Sequence, residues 1–417
     1  MMKKIQLLLA VFLCAFGLYA EDGVEFSGDI QTIWGASAPW LENENARGKM
    51  LLGSTSLTGK LDAYYDNSSA YAEGSVEYDA DANKFNFSLN EIWLDYTSSF
   101  WGIRLGRQKT AWGKADGVDI TNVICPTDMS SFAAMISDDS KLAVDAVRLS
   151  LSGNSFTADA YWIPFFTPNS LPLEEGNMLH KYVIPSNLSI PVTIGAMTKP
   201  ELAVWNGEYG LKLSGYFTLM DVSLYGYYGW DDTPILNYSM TSLNIYVTGE
   251  YKRMAMIGGD AAIPIGPTVL RLEAAFFPMR HFQKASLSGG NSVERNELSA
   301  LAGIDWMPTG WTITAQYFMD YVFEDVEVLE RAKAYEHGAT LSISKTLLNE
   351  TLELSASGLI NFNDLDCLIS PSVNYSLSDQ ISLSAGAYIF IPGPERAGKY
   401  GKYKDLSTLY IKGKFSF

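Results

Sequence analysis

Residues 101–128 read WGIRLGRQKTAWGKADGVDITNVICPTD, and in them Arg104, Arg107 and Gln108 lie on one strand-like run that passes into a segment rich in glycine and aspartate. Such residues could cradle a phosphate, hold a cation, serve a catalytic loop or brace a charged wall. The phosphate cradle fails on spacing, because GKADG lacks the P-loop pattern and no helical periodicity follows it. Asp116, Asp119 and Asp128, or Asp138 and Asp139, lack the full ligand pattern of a calcium loop, so neither metal nor cofactor is expected. Catalysis finds little support: His180, His281 and His337 all fall in connections or at their edges, and nothing pairs one of them with a serine. A non-enzyme is expected, and the wall remains.

The elements that would build this wall are strands. Alternation of period two recurs from residue 24 to the last residue. TLELSASGLINF sets Leu352, Leu354, Ala356, Gly358, Ile360 and Phe362 against Glu353, Ser355 and Ser357, and WTITAQYFMDY sets Trp311, Ile313, Ala315, Tyr317, Met319 and Tyr321 against Thr312, Thr314, Gln316 and Asp320. Each segment is about 10–13 residues long, the length a tilted strand needs to cross a bilayer. Tight turns at 66–69, 98–99, 153–154, 220–221, 265–266, 308–310, 348–350 and 378–379 alternate with mostly longer connections. The longer ones are 37–49, 79–84, 113–141, 165–207, 231–253, 279–296, 324–336, 364–367 and 392–404. Eighteen strands follow, with sixteen as the alternative count. An even number puts both ends of the sheet on the short-turn side, as in outer-membrane barrels. Residues 242–251 also look strand-like, but counting them would throw every later turn onto the long-loop face, so they read as an extracellular extension or hairpin. The expected fold is therefore an all-β, transmembrane, antiparallel up-and-down barrel with long extracellular loops.

Residues 1–20, MMKKIQLLLAVFLCAFGLYA, read as a secretory signal peptide cleaved after Ala20, leaving 21–417 as one barrel domain. No later stretch is apolar for long enough to be a spanning helix. Aromatics make up 13% of the chain and charged residues only 18%, and the net charge is −17, or −19 without Lys3 and Lys4. That acidity excludes nucleic acid as a partner. Cys125 and Cys367 are too few for a disulfide framework, and a bond between them stands beside free thiols as an alternative.

The two faces of the strands differ chemically. One is aliphatic and aromatic, with Trp34, Tyr65, Tyr96, Trp101, Trp162, Trp311 and Tyr321 near strand ends, where girdles meet the membrane interfaces. The other is charged and hydroxylated, which lipid would not tolerate, so it lines a wet lumen. The pore-lining candidates are Glu91, Asp95, Arg104, Arg107, Gln108, Arg148, Asp159, Lys212, Arg271 and Glu273. With a turn at Ser98 and Ser99, Glu91 and Asp95 come within one or two pairs of Arg104 across the hairpin. Arg107 breaks the alternation. Either it snorkels near the outer interface or a bulge at Gly106 turns it inward, and the phase shift near Asn90 favours the lumen or its rim.

The run LNEIWLDYTSSFWGIRLGRQKTAWGKADGVDITNVICPTDMS resembles a porin-like outer-membrane β-barrel family with a Gly-Arg-Gln strand, a Trp-Gly pair, an aspartate and an Asn-x-x-x-Pro-x-Asp ending. Here these are Gly106, Arg107, Gln108, Trp112, Gly113, Asp116, Asn122, Pro126 and Asp128, within about residues 89–130. The resemblance implies an outer-membrane barrel and a channel, but no defined substrate. STLYIKGKFSF likewise resembles the assembly signal of such proteins, ending on the aromatic Phe417.

About eighteen strands enclose an aqueous channel, whereas eight would be filled by side chains. The expected function is passive diffusion of small solutes through a polar lumen in the bacterial outer membrane, narrowed by a long loop. The apolar, proline-rich 165–207 and the segment 113–141 are the two loop candidates. The alternatives are a transporter for hydrophobic compounds and a surface-exposed adhesin or antigen. The inward acids slightly outnumber the bases, which predicts weak cation preference. Expected partners are outer-membrane lipid, the barrel-assembly machinery through Phe417 and small solutes, with homo-oligomerisation left open.

Overall fold

A computed structural model describes residues 23–417 except 81, 138, 175, 184–189, 242–243, 286–290, 332 and 397. The expected signal peptide, residues 1–20, lies outside the described residues. Eighteen strands form one antiparallel sheet. The sheet closes on itself, because the first strand, Val24–Ser37, pairs both with Met50–Tyr65 and with the last, Thr408–Ser416. Closure leaves no unpaired edge, which is the condition for sheet structure in an apolar medium.

Each predicted tight turn joins two consecutive barrel strands, and the longer connections gather at the other end, as the alternation required. The strand-like 242–251 resolves as the parity argument expects: Ile245–Glu250 forms a hairpin with Ile235–Met240 outside the barrel. The long loop then adds a third strand to this small sheet, Val192–Thr198, by parallel pairing.

The register carries the two faces around the wall, with local shifts at Gly35/Ala36, Glu73/Gly74 and Phe277/Arg280. Leu57 stands beside Ile30 and Val76, and Leu213 beside Ala158 and Leu224, all pointing outward. Leu94 and Ile257 are 63% and 67% exposed there, so the apolar side of every strand is turned away from the protein. Inside the barrel, buried residues form two apolar clusters where loops fold against the inner wall. At the short-turn end the backbone of Phe417 exchanges two hydrogen bonds of 3.0 Å with Gly28, and its ring sits 5.8 Å from Phe26.

Candidate functional site

The inward hairpin begins the site. Asp95 pairs with Arg104 across strands Lys84–Thr97 and Trp101–Gln108, and the Arg104 Nε donates to its carboxylate at 2.8 Å. Arg148, on the next strand, comes within 3.6 Å of the same carboxylate, and the Arg104 guanidinium lies 3.7 Å from the centre of the Trp93 ring. Glu91 accepts the backbone N–H of Lys109 at 3.0 Å. Gln108 is fully buried, its Nε2 donating to the Ala146 carbonyl at 3.0 Å, so it fixes the strand end rather than facing water. Asp159 accepts from Ser150, and Lys212 stands over the Tyr225 ring at 5.6 Å.

Arg107 does not reach the lumen. The expected irregularity near Asn90 is present as a register shift opposite Glu73 and Gly74, and it turns Asn90 inward to donate to Glu73 at 3.0 Å. Strand Trp101–Gln108 itself pairs without slippage on both sides, so Arg107 stays beside the outward Ile92. It lies 3.9 Å from Asp145, two residues toward the loop end from Leu105, in the row that leads through Val147 to Trp162. A positive φ of 129° at Gly106 accommodates the strand without re-aiming its neighbour. Arg107 therefore lies on the outward side of the sheet and not among the inward residues.

Of the two loop candidates, 113–141 enters the lumen, within the connection 109–143 between two barrel strands. Its apolar side packs Trp112 on Tyr225, with ring centres 4.9 Å apart, and edge-on against Tyr161. Ile120 and Ile124 join Met256, Phe277 and Leu301 of the wall. Its polar backbone is met by one carboxylate: Glu273 accepts from the N–H groups of Lys114 at 2.6 Å, Ala115 at 3.0 Å and Thr121 at 2.8 Å, and from the Thr121 hydroxyl at 2.7 Å. Arg271 donates to the Lys114 carbonyl at 2.8 Å while paired with Asp305 at 2.5 Å. Gly113, at φ 87°, passes so close that an added Cβ would lie 2.3 Å from a Glu273 oxygen. Arg271 and Glu273 thus point inward and hold the loop, and Glu273 is buried beneath it.

The loop leans on one half of the wall. On strands 208–316 the inward Tyr225, Asp260, Glu273, Ser299 and Gln316 are buried. Across the lumen the inward Asp29, Lys60, Thr340, Ser355, Ser372 and Lys412 keep partial exposure. The second loop, 165–207, covers the mouth: Leu179 packs with Phe132, Leu52, Phe390 and Leu406. Beneath the mouth lies a cavity of about 240 Å³ that Asp119, Lys141, Asp231, Asp232, Arg280 and Glu297 help to line. Arg280 bridges Asp231 at 2.7 Å and Glu297 at 2.8 Å, and Lys141 pairs with Asp119 at 2.6 Å. Burial pushes the carboxyl of Asp232 well above the usual range, and the charges of Glu208 and Asp231 push it further.

The expectation of a disulfide is corrected. Cys125 and Cys367 are free, and the wall separates them. Cys125 is buried within the inward loop, accepting the Thr110 N–H at 3.2 Å, whereas Cys367 shares the outward face with its neighbours Ile360 and Ile391. Tyr225, Asp305, Glu297 and Gln316 were missed as site residues. Alternation would have placed them inward, but no sequence signal pairs Tyr225 and Gln316 with a loop more than a hundred residues upstream, or Asp305 and Glu297 with Arg271 and Arg280.

The family model described as protein of unknown function (DUF1302) matches residues 53–385. This chain belongs to that family. The DUF1302 match takes in the Arg104 hairpin, the inward loop and the wall that holds it. Among solved structures, this DUF1302 chain is similar to OccK8 (OprE) of Pseudomonas aeruginosa, with 11% identity over 94% of this chain and 97% of that one and a TM-score of 0.53. It is similar to OccAB3 of Acinetobacter baumannii at 8% identity over 94% and 99% of the two chains, with a TM-score of 0.52. It is also similar to OccD3 (OpdP) of Pseudomonas aeruginosa at 9% identity over 95% and 91%, again with a TM-score of 0.52. At such identities the likeness is one of fold. Among curated proteins, none matches the DUF1302 sequence.

Proposed function

We propose that this DUF1302 protein is a channel of the bacterial outer membrane, through which small polar solutes diffuse between the inward loop and the uncovered half of the wall. The observation that carries the reading is the one-sided seating of the loop. Strands 335–416 and 24–97 present inward hydroxyls and charges that remain in contact with solvent, while their other face is apolar. A closed sheet with a wet interior and an apolar exterior is the arrangement a bilayer selects. Along the open half Asp29, Asp62, Glu73, Glu77 and Glu353 outnumber Lys60, Lys412 and Lys414, which supports a weak preference for cations. Arg104, Arg148, Asp159 and Lys212 line the inner wall beside the loop, with Asp95 holding both arginines. The outer loop buries Leu179 against the mouth instead of offering an apolar trough, which weighs against carriage of hydrophobic compounds. Phe417, outward at the end of the closing strand, fits recognition by the assembly machinery.

Purified, folded protein in planar bilayers should give steady conductance steps, with a reversal potential displaced toward the cation side under a salt gradient. Absence of any step from correctly folded protein would refute the channel. A reversal potential on the anion side would refute only the charge preference.

A further inference from the structure

One stretch of the long loop lies outside the barrel. Residues 201–206, with a single 3-10 turn at Val204–Asn206, fold back along the outward face. The Tyr209 hydroxyl donates to the Val204 carbonyl at 3.1 Å, and Trp230 Nε1 donates to the Asn206 carbonyl at 2.9 Å. Arg253 donates to the carbonyls of Gly207 at 3.0 Å and Trp205 at 3.1 Å, and its guanidinium lies 4.1 Å from the Trp230 ring centre. By register all three donors are outward residues: Tyr209 stands between Trp162 and Tyr228, and Arg253 beside Trp230. The carbonyls of Val204, Trp205 and Asn206 are thereby satisfied within the protein, while Leu202, Val204 and Trp205 keep 76%, 67% and 75% of their surface exposed.

Three large apolar side chains so exposed would be a liability in water. With three of its carbonyls paired to outward side chains, the segment loses less on lying at the margin of an apolar medium, where water still reaches its remaining polar groups. The patch continues the outward face directly above Tyr209 and Leu211, with Lys199 and Glu201 exposed at its edge. We infer that residues 201–206 are an interfacial anchor that seats Leu202, Val204 and Trp205 in the lipid of the outer leaflet and so tethers the loop that covers the mouth. This rests on the proposed reading of the outward face as lipid-facing. Tryptophan at such a boundary, with aliphatic neighbours below it and charged ones above, is the usual composition of a membrane interface.

The test uses variants that carry one accessible cysteine in a Cys367→Ser background, since Cys125 is enclosed. An environment-sensitive fluorophore is attached at Trp205→Cys, at Leu211→Cys in the apolar belt, and at Asn45→Cys on an exposed loop. Each is reconstituted in phosphatidylcholine vesicles with and without nitroxide-labelled lipid. Fluorescence loss at 205 comparable to that at 211, with none at 45, is the expected result. Loss at 211 without loss at 205 overturns the anchor while leaving the barrel reading intact. No loss at 211 overturns the lipid-facing reading itself. Shielding of 205 from both lipid quencher and aqueous iodide would mean that a second copy covers the patch, and this too overturns the anchor. Leu202→Cys repeats the measurement should the variant at 205 fail to fold.

Discussion

Glu273 is a single buried carboxylate facing four donors of a segment some 150 residues upstream in the chain. A hydrogen bond to a charged group contributes about 1.5–3 kcal/mol, and each backbone N–H left unmet in a buried site costs about 1–3 kcal/mol. Glu273→Ala should therefore release the inward loop: single-channel steps should grow, and trypsin should reach Lys109 and Lys114 in the folded barrel. Unchanged steps and unchanged protection would show that the apolar contacts of Trp112 suffice. Asp232 gives a prediction with a sign. Its carboxyl is raised, so the native protein keeps a proton that the unfolded chain has already released. The stability it contributes is greatest at low pH and is lost as pH rises from the ordinary aspartate range through its own pKa. Across that window a negative charge appears at the mouth, so cation preference should grow with pH in the native protein and less in Asp232→Asn. Reversal potentials over a pH series measure this. At this scale the sequence was half legible. Cross-strand pairs such as Asp95 and Arg104 follow from a turn and a parity. Glu273's donors do not, because only tertiary folding brings them near.

The strands and turns were legible because lipid and water impose opposite demands on alternate residues, which leaves a periodic trace at every strand. Which loop entered was not. Length and apolarity favoured 165–207 as readily as 113–141, yet the deciding features are a left-handed glycine and a row of N–H groups at the height of one acid. Gly113→Ala should test that element directly. Its φ of 87° and the 2.3 Å approach to Glu273 allow no Cβ, and strain of this kind costs about 1–3 kcal/mol. The variant should enlarge the conductance steps much as Glu273→Ala does, and the double variant should add little to either, since both break one contact. Additive effects would mean that the glycine matters for some other reason. Arg107 shows the same limit in small. The bulge that would have turned it inward exists, but one strand earlier, where alternation is restored before the pairing with Arg107 begins.

For the whole molecule the barrel and the loop are separable. Strand register is continuous on both sides of Glu273, from Thr268 to Phe277, and slips only beyond Phe277, while the closing pair of strands lies elsewhere in the wall. Excision of residues 114–121 should leave a barrel that still folds, judged by its β-sheet circular dichroism and resistance to detergent, while conductance rises. Loss of the folded barrel would show instead that the loop is part of the wall's stability. The solute was not legible in the sequence, because serine, lysine and acids along the open side of the lumen signal general polarity rather than one solute's shape.

The lopsided seating of the inward loop also divides the barrel into two evolutionary provinces. A substitution on the inner side of strands 208–316 meets packed side chains and must be answered by another in the loop. The same change at Thr340, Ser355 or Ser372, on the side the loop does not cover, meets a partly exposed surface. New solute preferences can therefore arise on the second half by single steps, with the first half as a fixed reference against which the passage is repeatedly redrawn.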